Sequence, residues 1–300
     1  IFKGYSQFMN AIEVTNLTKY YGSFKALDQI NISIKQGEIH GFLGPNGAGK
    51  TSTIRILVGL MGASNGSATI FNQKSGDKNT KKLIGYLPSD FGLPKQYTIG
   101  QYLDLIEKVR GKGQYREELV TRFKVDENRK LNQLSKGNRQ KVSIVQALMH
   151  EPKIVIADEP TSGLDPLLQN ELNNYFQEYV DRGGTVFVSS HILADVQGIC
   201  NNITVIKEGK IVSSGSIDDL LKTMPRKILL SLSKDADPNI ISQELSTKSI
   251  SKELDKFVIY VEGNIKEAVS KIIQNEKIID FSIPQPSLEA YFKDIYSDEN

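Results

Sequence analysis

The sequence predicts an α/β fold followed by a smaller α+β domain. Short apolar runs typical of buried strands recur through residues 11–215, and stretches with helical periodicity separate them. Strands that alternate with helices favour a mostly parallel sheet covered on both faces. After about Thr223 the pattern changes to three short strands and three helices, which is typical of a compact α+β module.

The strands of the first part follow from two kinds of pattern. Residues 11–17 and 26–34 alternate apolar and polar side chains, as half-buried strands do. Continuous apolar runs, typical of strands buried on both faces, predict strands at 38–43, 83–87, 154–157 and 185–189. Glu208-Gly209 is a turn signal and predicts a hairpin of strands 202–207 and 210–214.

Helical periodicity predicts the elements between these strands. In the first part the predicted helices are 50–61, 100–110, 116–124, 137–150, 166–181 and 217–222. In the second part the predicted strands are 228–232, 257–262 and 278–283, and the predicted helices are 240–245, 265–275 and 287–296.

Composition excludes several function classes. The 300 residues carry 37 basic and 35 acidic side chains, whereas a dedicated nucleic-acid-binding domain has a clear basic excess. We therefore expect no nucleic-acid partner. The single cysteine excludes an intramolecular disulfide and a multi-cysteine zinc site. The longest uncharged run, residues 56–73, is broken by glycine, serine and asparagine, so the sequence predicts no membrane span and a cytoplasmic chain.

A glycine-rich segment joins the predicted strand 38–43 to the predicted helix 50–61. It fits G-x-x-x-x-G-K-[ST] and reads Gly44-Pro45-Asn46-Gly47-Ala48-Gly49-Lys50-Thr51, with Ser52 next. Glycines let successive N–H groups face phosphate oxygens, and a helix N-terminus adds partial positive charge. In this motif the lysine reaches the β- and γ-phosphates and the hydroxyl residue binds Mg²⁺. The segment therefore predicts a site for a nucleoside triphosphate with Mg²⁺.

Two carboxylates, Asp158 and Glu159, end the apolar strand 154–157. At the carboxyl end of a parallel strand, Asp158 can face the phosphate loop and hold Mg²⁺, directly or through water. Glu159 is then the candidate base that polarises water for attack on the γ-phosphate. A pair of solvated strand-end carboxylates is the alternative, and the phosphate loop in the same chain disfavours it.

Three further motifs follow in a fixed order. Leu134-Ser135-Lys136-Gly137-Asn138 lies at the start of the predicted helix 137–150, Ser162-Gly163-Leu164-Asp165 follows the carboxylates, and His191 follows strand 185–189. They resemble the signature, the D-loop and the switch histidine of ABC ATPases. The chain is identified as a member of the ATP-binding subunits of ABC transporters. The resemblance implies a P-loop NTPase core, in which a RecA-like mixed sheet carries an antiparallel β subdomain and an α-helical subdomain.

The resemblance also implies roles for individual residues. His191 senses the γ-phosphate, Asp165 belongs to the D-loop, and Tyr21 matches the aromatic residue that stacks on adenine. By position alone, Tyr20 is an equal candidate for the stacking role. The signature residues Ser135, Lys136, Gly137 and Asn138 act in trans on ATP held by a second copy. The implied partners are therefore a second ATP-binding subunit, in a head-to-tail homodimer, and a transmembrane permease.

Two motifs depart from the family pattern. Ser89 stands where the family usually has the glutamine of the Q-loop, and serine is too short to replace the reach of glutamine to Mg²⁺ or to the attacking water. Either Asp90 or a water substitutes, or coupling differs. In the signature, Lys136 and Asn138 replace a glycine and a glutamine, while Ser135 and Gly137 are kept, so ATP binding should survive.

Domain boundaries and function complete the prediction. Residues 1–8 are interpreted as a tag or disordered extension, 9–222 as the ABC ATP-binding domain with its helical subdomain at about 90–150, and 223–300 as an accessory α+β domain. The tail, with its segment Pro286-Ser287-Leu288-Glu289-Ala290-Tyr291-Phe292, resembles the C-terminal extension of daunorubicin-resistance-type ATPases of drug and antibiotic export. The resemblance implies an ATPase that powers a separate permease in export and lies at the cytoplasmic face of the membrane. The alternative is a soluble ABC ATPase with a non-transport or regulatory role.

Overall fold

The computed structural model describes residues 10–90, 92–223, 226–245, 247, 250–253, 255–261 and 265–284. The chain divides into two compact units between Ile217 and Asp218, whereas the sequence analysis placed the boundary between residues 222 and 223. Each unit has a hydrophobic core of its own. The predicted extension 1–8 and the predicted helix 287–296 lie outside the described residues.

The described residues up to 216 form ten strands, seven α-helices and one 3-10 helix at Leu131–Gln133. The strands are β1 (Asn10–Tyr21), β2 (Phe24–Lys35), β3 (Ile39–Leu43), β4 (Asn65–Ile70), β5 (Gln73–Lys74), β6 (Ile84–Leu87), β7 (Ile154–Asp158), β8 (Thr185–Ser190), β9 (Asn202–Lys207) and β10 (Lys210–Ser216). The helices are α1 (Lys50–Leu57), α2 (Lys78–Lys82), α3 (Ile99–Arg110), α4 (Arg116–Arg122), α5 (Lys136–Leu148), α6 (Pro166–Asp181) and α7 (Leu193–Gln197).

A mixed sheet forms the centre of the first unit. Its strand order is β10-β9-β3-β8-β7-β6, in which neighbouring strands are parallel except for the antiparallel pair β9 and β10. Every residue of β3, β7 and β8 is buried, as expected for strands covered on both faces. Because these three strands are neighbours, the loops after them meet at one edge of the sheet.

A second, antiparallel sheet has the order β2-β1-β4-β5 and shares one core with the central sheet. The sequence analysis missed β4 and β5. The first three residues of β4 are exposed and the strand reads Asn-Gly-Ser-Ala-Thr-Ile, so it lacks the apolar alternation by which strands are recognised. Small polar residues here pair with β1 through the backbone, which side-chain patterning does not report.

Helix α1 is one turn shorter than the predicted 50–61. It ends at Leu57, and Gly59 follows in a left-handed conformation with φ of 73°. A side chain at Gly59 is also excluded, because its Cβ would lie 2.3 Å from the Cα of Gly76. The left-handed glycine after the last turn is a common helix terminator, and it overrides the apolar residues that follow.

The second unit is built from a split β-α-β arrangement. Helix α8 (Ile217–Thr223) precedes β11 (Arg226–Leu232), α9 (Pro238–Glu244), β12 (Ile250–Glu253), β13 (Lys256–Val261), α10 (Ile265–Gln274) and β14 (Ile278–Ser282). The order β12-β13-β11-β14, antiparallel throughout, is that of a ferredoxin-like sheet. This agrees with the predicted α+β class. None of the described helices is long and apolar enough to cross a membrane.

Candidate functional site

The loop between β3 and α1 is an open anion cradle. Gly47 and Gly49 have φ of 83° and 111°, a left-handed conformation that glycine adopts without strain. A Cβ on Gly49 would lie 2.6 Å from Leu27, whereas a Cβ on Gly47 would meet nothing within 4 Å. Helix α1 begins without a side-chain cap, so its first N–H groups remain for an external acceptor.

Lys50 lies beneath this loop and is only 5% exposed. Its ammonium donates to the carbonyl oxygens of Gly44 (2.7 Å) and Pro45 (3.1 Å) and lies 3.6 Å from Oε1 of Glu159. Burial lowers the pKa of Lys50, and the negative charges of Glu159 and Asp158 oppose that shift. The loop carbonyls thus hold the ammonium at the inner wall of the cradle.

Asp158 is the last residue of β7, and its carboxylate accepts hydrogen bonds from the hydroxyl groups of three different segments. Oδ2 accepts from Thr51 at 2.9 Å and from Ser89 at 3.2 Å, and Oδ1 accepts from Ser189 at 2.7 Å. The carboxylate is 1% exposed. Ser89 therefore reaches the carboxylate directly, while its neighbour Asp90 is exposed. Hydroxyl and carboxylate oxygens are the donor set that Mg²⁺ prefers, so these residues fit a hard cation.

Glu159 and His191 face each other beside Lys50. The Nδ1 atom of His191 lies 3.0 Å from Oε1 of Glu159, the same oxygen that lies near the Lys50 ammonium. The His191 side chain is 40% exposed and that of Glu159 is 23% exposed. A base that takes a proton from water needs both solvent access and an orienting partner, and Glu159 has both.

A cavity of about 200 Å³ opens over these groups. The cavity is lined by the phosphate loop, the start of α1, the turn end of the β1–β2 hairpin, and one carboxylate. The lining residues are Tyr21, Phe24, Ala26, Asn46, Gly47, Gly49, Lys50, Thr51, Ser52 and Glu159. The hydroxyl of Tyr21 lies 3.1 Å from that of Ser52, and both residues belong to the lining. Tyr20, the alternative stacking residue, lines a different cavity.

The signature lies at the N-terminus of α5, outside the residues that line this cavity. Ser135 is the N-cap and accepts from the N–H of Asn138 at 3.4 Å. Lys136 donates to the Ser162 hydroxyl at 2.8 Å, and a Cβ on Gly137 would lie 2.8 Å from the carbonyl oxygen of Gly163. The signature is therefore packed directly against the D-loop.

The two residues between Glu159 and the D-loop, Pro160 and Thr161, are held by contacts with other segments. Gln140 of α5 donates to the carbonyl of Pro160, the residue after Glu159, at 2.9 Å. Thr161 donates to Asp195, four residues after His191, at 2.8 Å. Asp165 does not enter the cavity but caps α6 by accepting from the N–H of Leu168 at 3.0 Å.

Sequence reasoning missed three residues of the site. Phe24 and Ala26 line the cavity, and Ser189 holds Asp158. Phe24 pairs with Tyr21 across the tight turn at the end of the β1–β2 hairpin, so two aromatics flanking Gly22-Ser23 were a usable signal. Ser189 gave no such signal, because its contact with Asp158 follows only from the pairing of β7 with β8.

The fold and this site define a P-loop nucleotide-binding protein. A glycine loop, a lysine and a hydroxyl at the start of α1 face a carboxylate at the end of a parallel strand, as that class requires. Comparison with known proteins narrows the class. Residues 27–162 match the ABC transporter family.

Two relatives extend the match over most of the chain. The bacitracin transport ATP-binding protein BcrA of Bacillus licheniformis is 37% identical, over 94% of this chain and 95% of that protein. An uncharacterized ABC transporter ATP-binding protein of Synechocystis sp. is 32% identical, over 94% of this chain and 84% of the relative. The chain therefore belongs to the family of ABC transporter ATP-binding proteins.

Solved structures agree with this assignment. The chain resembles the ATP-binding subunit of an ABC transporter, with a TM-score of 0.66 and 29% identity, over 71% of this chain and 92% of that one. It also resembles the cassette MJ0796, a dimer in a post-hydrolysis state bound to ADP and Pi, with a TM-score of 0.63 and 27% identity, over 69% of this chain and 98% of that one. The predicted P-loop ABC fold and nucleotide binding are confirmed.

Proposed function

We propose that this protein hydrolyses ATP and uses the energy to power a separate transmembrane permease in export. The observation that carries the proposal is the position of the Glu159 carboxylate. Its Oε1 atom lies 3.6 Å from the Lys50 ammonium and 3.0 Å from Nδ1 of His191, and both Glu159 and Lys50 line the cavity in which a bound γ-phosphate would lie. Similarity over nearly the full chain to a bacitracin transport protein supports the export assignment.

Each residue contributes a distinct part of the reaction. The loop N–H groups and Lys50 bind and orient the phosphates, and Glu159 takes a proton from water as that water attacks phosphorus. His191 orients the Glu159 carboxylate from the solvent side. Thr51 and Asp158 would hold Mg²⁺, which supplies charge neutralisation on the phosphate oxygens when bound.

The site needs a second copy. Ser135 and Gly137 are not among the residues that line the cavity, yet they form the N-terminus of a 13-residue helix, α5, and so offer an anion site of their own. Two chains arranged head to tail would place this terminus over the γ-phosphate of the other chain. The dimeric ABC cassettes among the similar structures support this arrangement. ATP would then join two subunits, and hydrolysis would release them.

Glu159→Gln tests the chemistry. The amide keeps the size of the side chain but cannot accept the proton, so ATP binding should persist, turnover should fall to background and ATP should trap a dimer. Steady-state phosphate release and light scattering with ATP measure the two effects. Glu117→Gln is a matched control, because Glu117 is exposed on α4.

Two outcomes would contradict the proposal. Normal turnover by Glu159→Gln would remove Glu159 from the chemistry. No turnover by the wild-type protein, alone and with a permease, would favour a nucleotide-gated regulatory role, for which the replacement of the Q-loop glutamine by Ser89 is the supporting observation.

A further inference from the structure

Ser189 lies directly beneath the two carboxylates of the site. It is the fifth residue of β8, is fully buried, and is the parallel-sheet partner of Asp158. Its hydroxyl donates to Oδ1 of Asp158 at 2.7 Å. Thr51 and Ser89 contact the other carboxylate oxygen, so among the described residues only Ser189 donates a side-chain hydrogen bond to Oδ1.

The same hydroxyl also holds the next residue. Glu159 has φ of 50°, a left-handed conformation that is uncommon for a residue with a side chain. Its N–H donates both to the Ser189 carbonyl and to the Ser189 hydroxyl, each at 3.2 Å. The backbone that directs the Glu159 side chain towards Lys50 and His191 is therefore fixed by Ser189.

The Ser189 hydroxyl can contact Asp158 and the Glu159 N–H together only if its hydrogen points in one direction. A hydroxyl has one hydrogen to donate and lone pairs to accept with. An ionised Asp158 accepts only and the Glu159 N–H donates only, so the Ser189 hydrogen must point to Asp158 while its oxygen faces Glu159. A side chain without the hydroxyl would leave Oδ1 buried without this donor and would loosen the left-handed turn at Glu159.

We propose that Ser189 is a positioning residue for ATP hydrolysis, which sets the metal-facing carboxylate of Asp158 and the base Glu159 with one hydroxyl. It acts through these residues, since it does not line the nucleotide cavity. The inference rests on the hydrolysis proposed above. It accounts for the left-handed Glu159, which nothing else in the mechanism explains.

Three variants of the full chain test the inference. Ser189→Ala removes the hydroxyl, Ser189→Thr keeps it, and Ser143→Ala is the matched control. Ser143 is equally buried, and its hydroxyl has no hydrogen-bond partner in the described structure. The measurements are kcat and KM for ATP, the Mg²⁺ concentration for half-maximal activity, and the rise in unfolding temperature with ATP in EDTA and with Mg²⁺–ATP.

Ser189→Ala should lower kcat about 10- to 100-fold, the range typical of residues that orient metal ligands, with KM for ATP little changed at saturating Mg²⁺. Its stabilisation by ATP in EDTA should equal that of the wild type, whereas the additional stabilisation at limiting Mg²⁺ should shrink and the Mg²⁺ requirement should rise. Ser189→Thr should restore most of kcat, and Ser143→Ala should behave as the wild type.

Several results would overturn the inference. An unchanged kcat and Mg²⁺ requirement in Ser189→Ala would do so, and so would equal losses in Ser189→Ala and Ser189→Thr, since those would report packing rather than the hydroxyl. A changed KM with unchanged kcat would indicate binding instead. Wild-type hydrolysis with an unaffected Ser189→Ala overturns this inference alone, whereas no wild-type hydrolysis overturns the proposed function and this inference with it.

Discussion

Whether a residue of the site could be predicted from the sequence depends on how far its partners lie along the chain. Lys50, Thr51, Asp158 and Glu159 were predictable, because each belongs to a short motif whose chemistry is local. The contacts of Ser89 and Ser189 with Asp158 were not, since both follow from strand pairing between distant segments. Sequence reasoning judged Ser89 too short to reach the metal or the water, and the structure shows that it reaches the Asp158 carboxylate instead.

Two residues, Tyr21 and Tyr20, were candidates for stacking on adenine, and they line different cavities in the structure. Tyr21 lines the nucleotide cavity, whereas Tyr20 lines another cavity. Tyr21→Ala should weaken ATP binding by about 1–3 kcal/mol, the usual contribution of one base–aromatic stack. Tyr20→Ala, the matched control, should leave binding close to that of the wild type. Calorimetric titration with ATP distinguishes them, and equal losses would refute the assignment.

At the scale of secondary-structure elements, the apolar pattern of the sequence predicted whether a segment is a strand or a helix better than it predicted where that element ends. The buried strands β3, β7 and β8 were predicted to within one residue at each end, because strands covered on both faces are continuously apolar. β4 was not predicted because it lacks that apolar pattern. The predicted helix 50–61 ran past Gly59, whose left-handed conformation follows the end of α1. Turn conformation and backbone pairing, rather than side-chain periodicity, decide these places.

The helices α4 and α6 are joined by one arginine. Arg122 contacts Glu178 through two nitrogens at 2.6 and 2.8 Å, forms a further ion pair with Glu171, and lies 5.1 Å from the ring centre of Tyr175. Both glutamates and the tyrosine belong to α6. This contact ties the helical segment to the helix that follows the D-loop.

Arg122→Ala should therefore lower the free energy of unfolding by about 1–2 kcal/mol, the sum expected for partly exposed ion pairs and one cation–π contact. Urea unfolding, monitored by circular dichroism, measures this change, and the dependence of the free energy of unfolding on urea concentration should stay the same. Arg129→Ala is the control, because Arg129 is exposed and forms no ion pair with the residues that the structure describes. Equal stability of the two variants would show that the α4–α6 contact contributes nothing measurable.

At the scale of the whole molecule, the sequence predicted the class of each unit but not the strand order. Alternating strands and helices predicted a layered α/β core, and the change of pattern after Thr223 predicted a separate α+β module. The order β10-β9-β3-β8-β7-β6 depends on pairings between distant strands, which local patterns do not encode. That order brings the ends of β3, β7 and β8 together and thereby assembles the phosphate loop, the carboxylates and the histidine.

The central claim is that ATP is hydrolysed at a site completed by a second copy of the chain. The most direct test mixes two inactive variants, Lys50→Ala, which damages the phosphate loop, and Ser135→Arg, which blocks the signature. In a mixed dimer, the intact loop of the Ser135→Arg chain meets the intact signature of the Lys50→Ala chain. Each variant alone should be inactive in a phosphate-release assay and the mixture should regain activity, whereas a mixture as inactive as its components would contradict the claim.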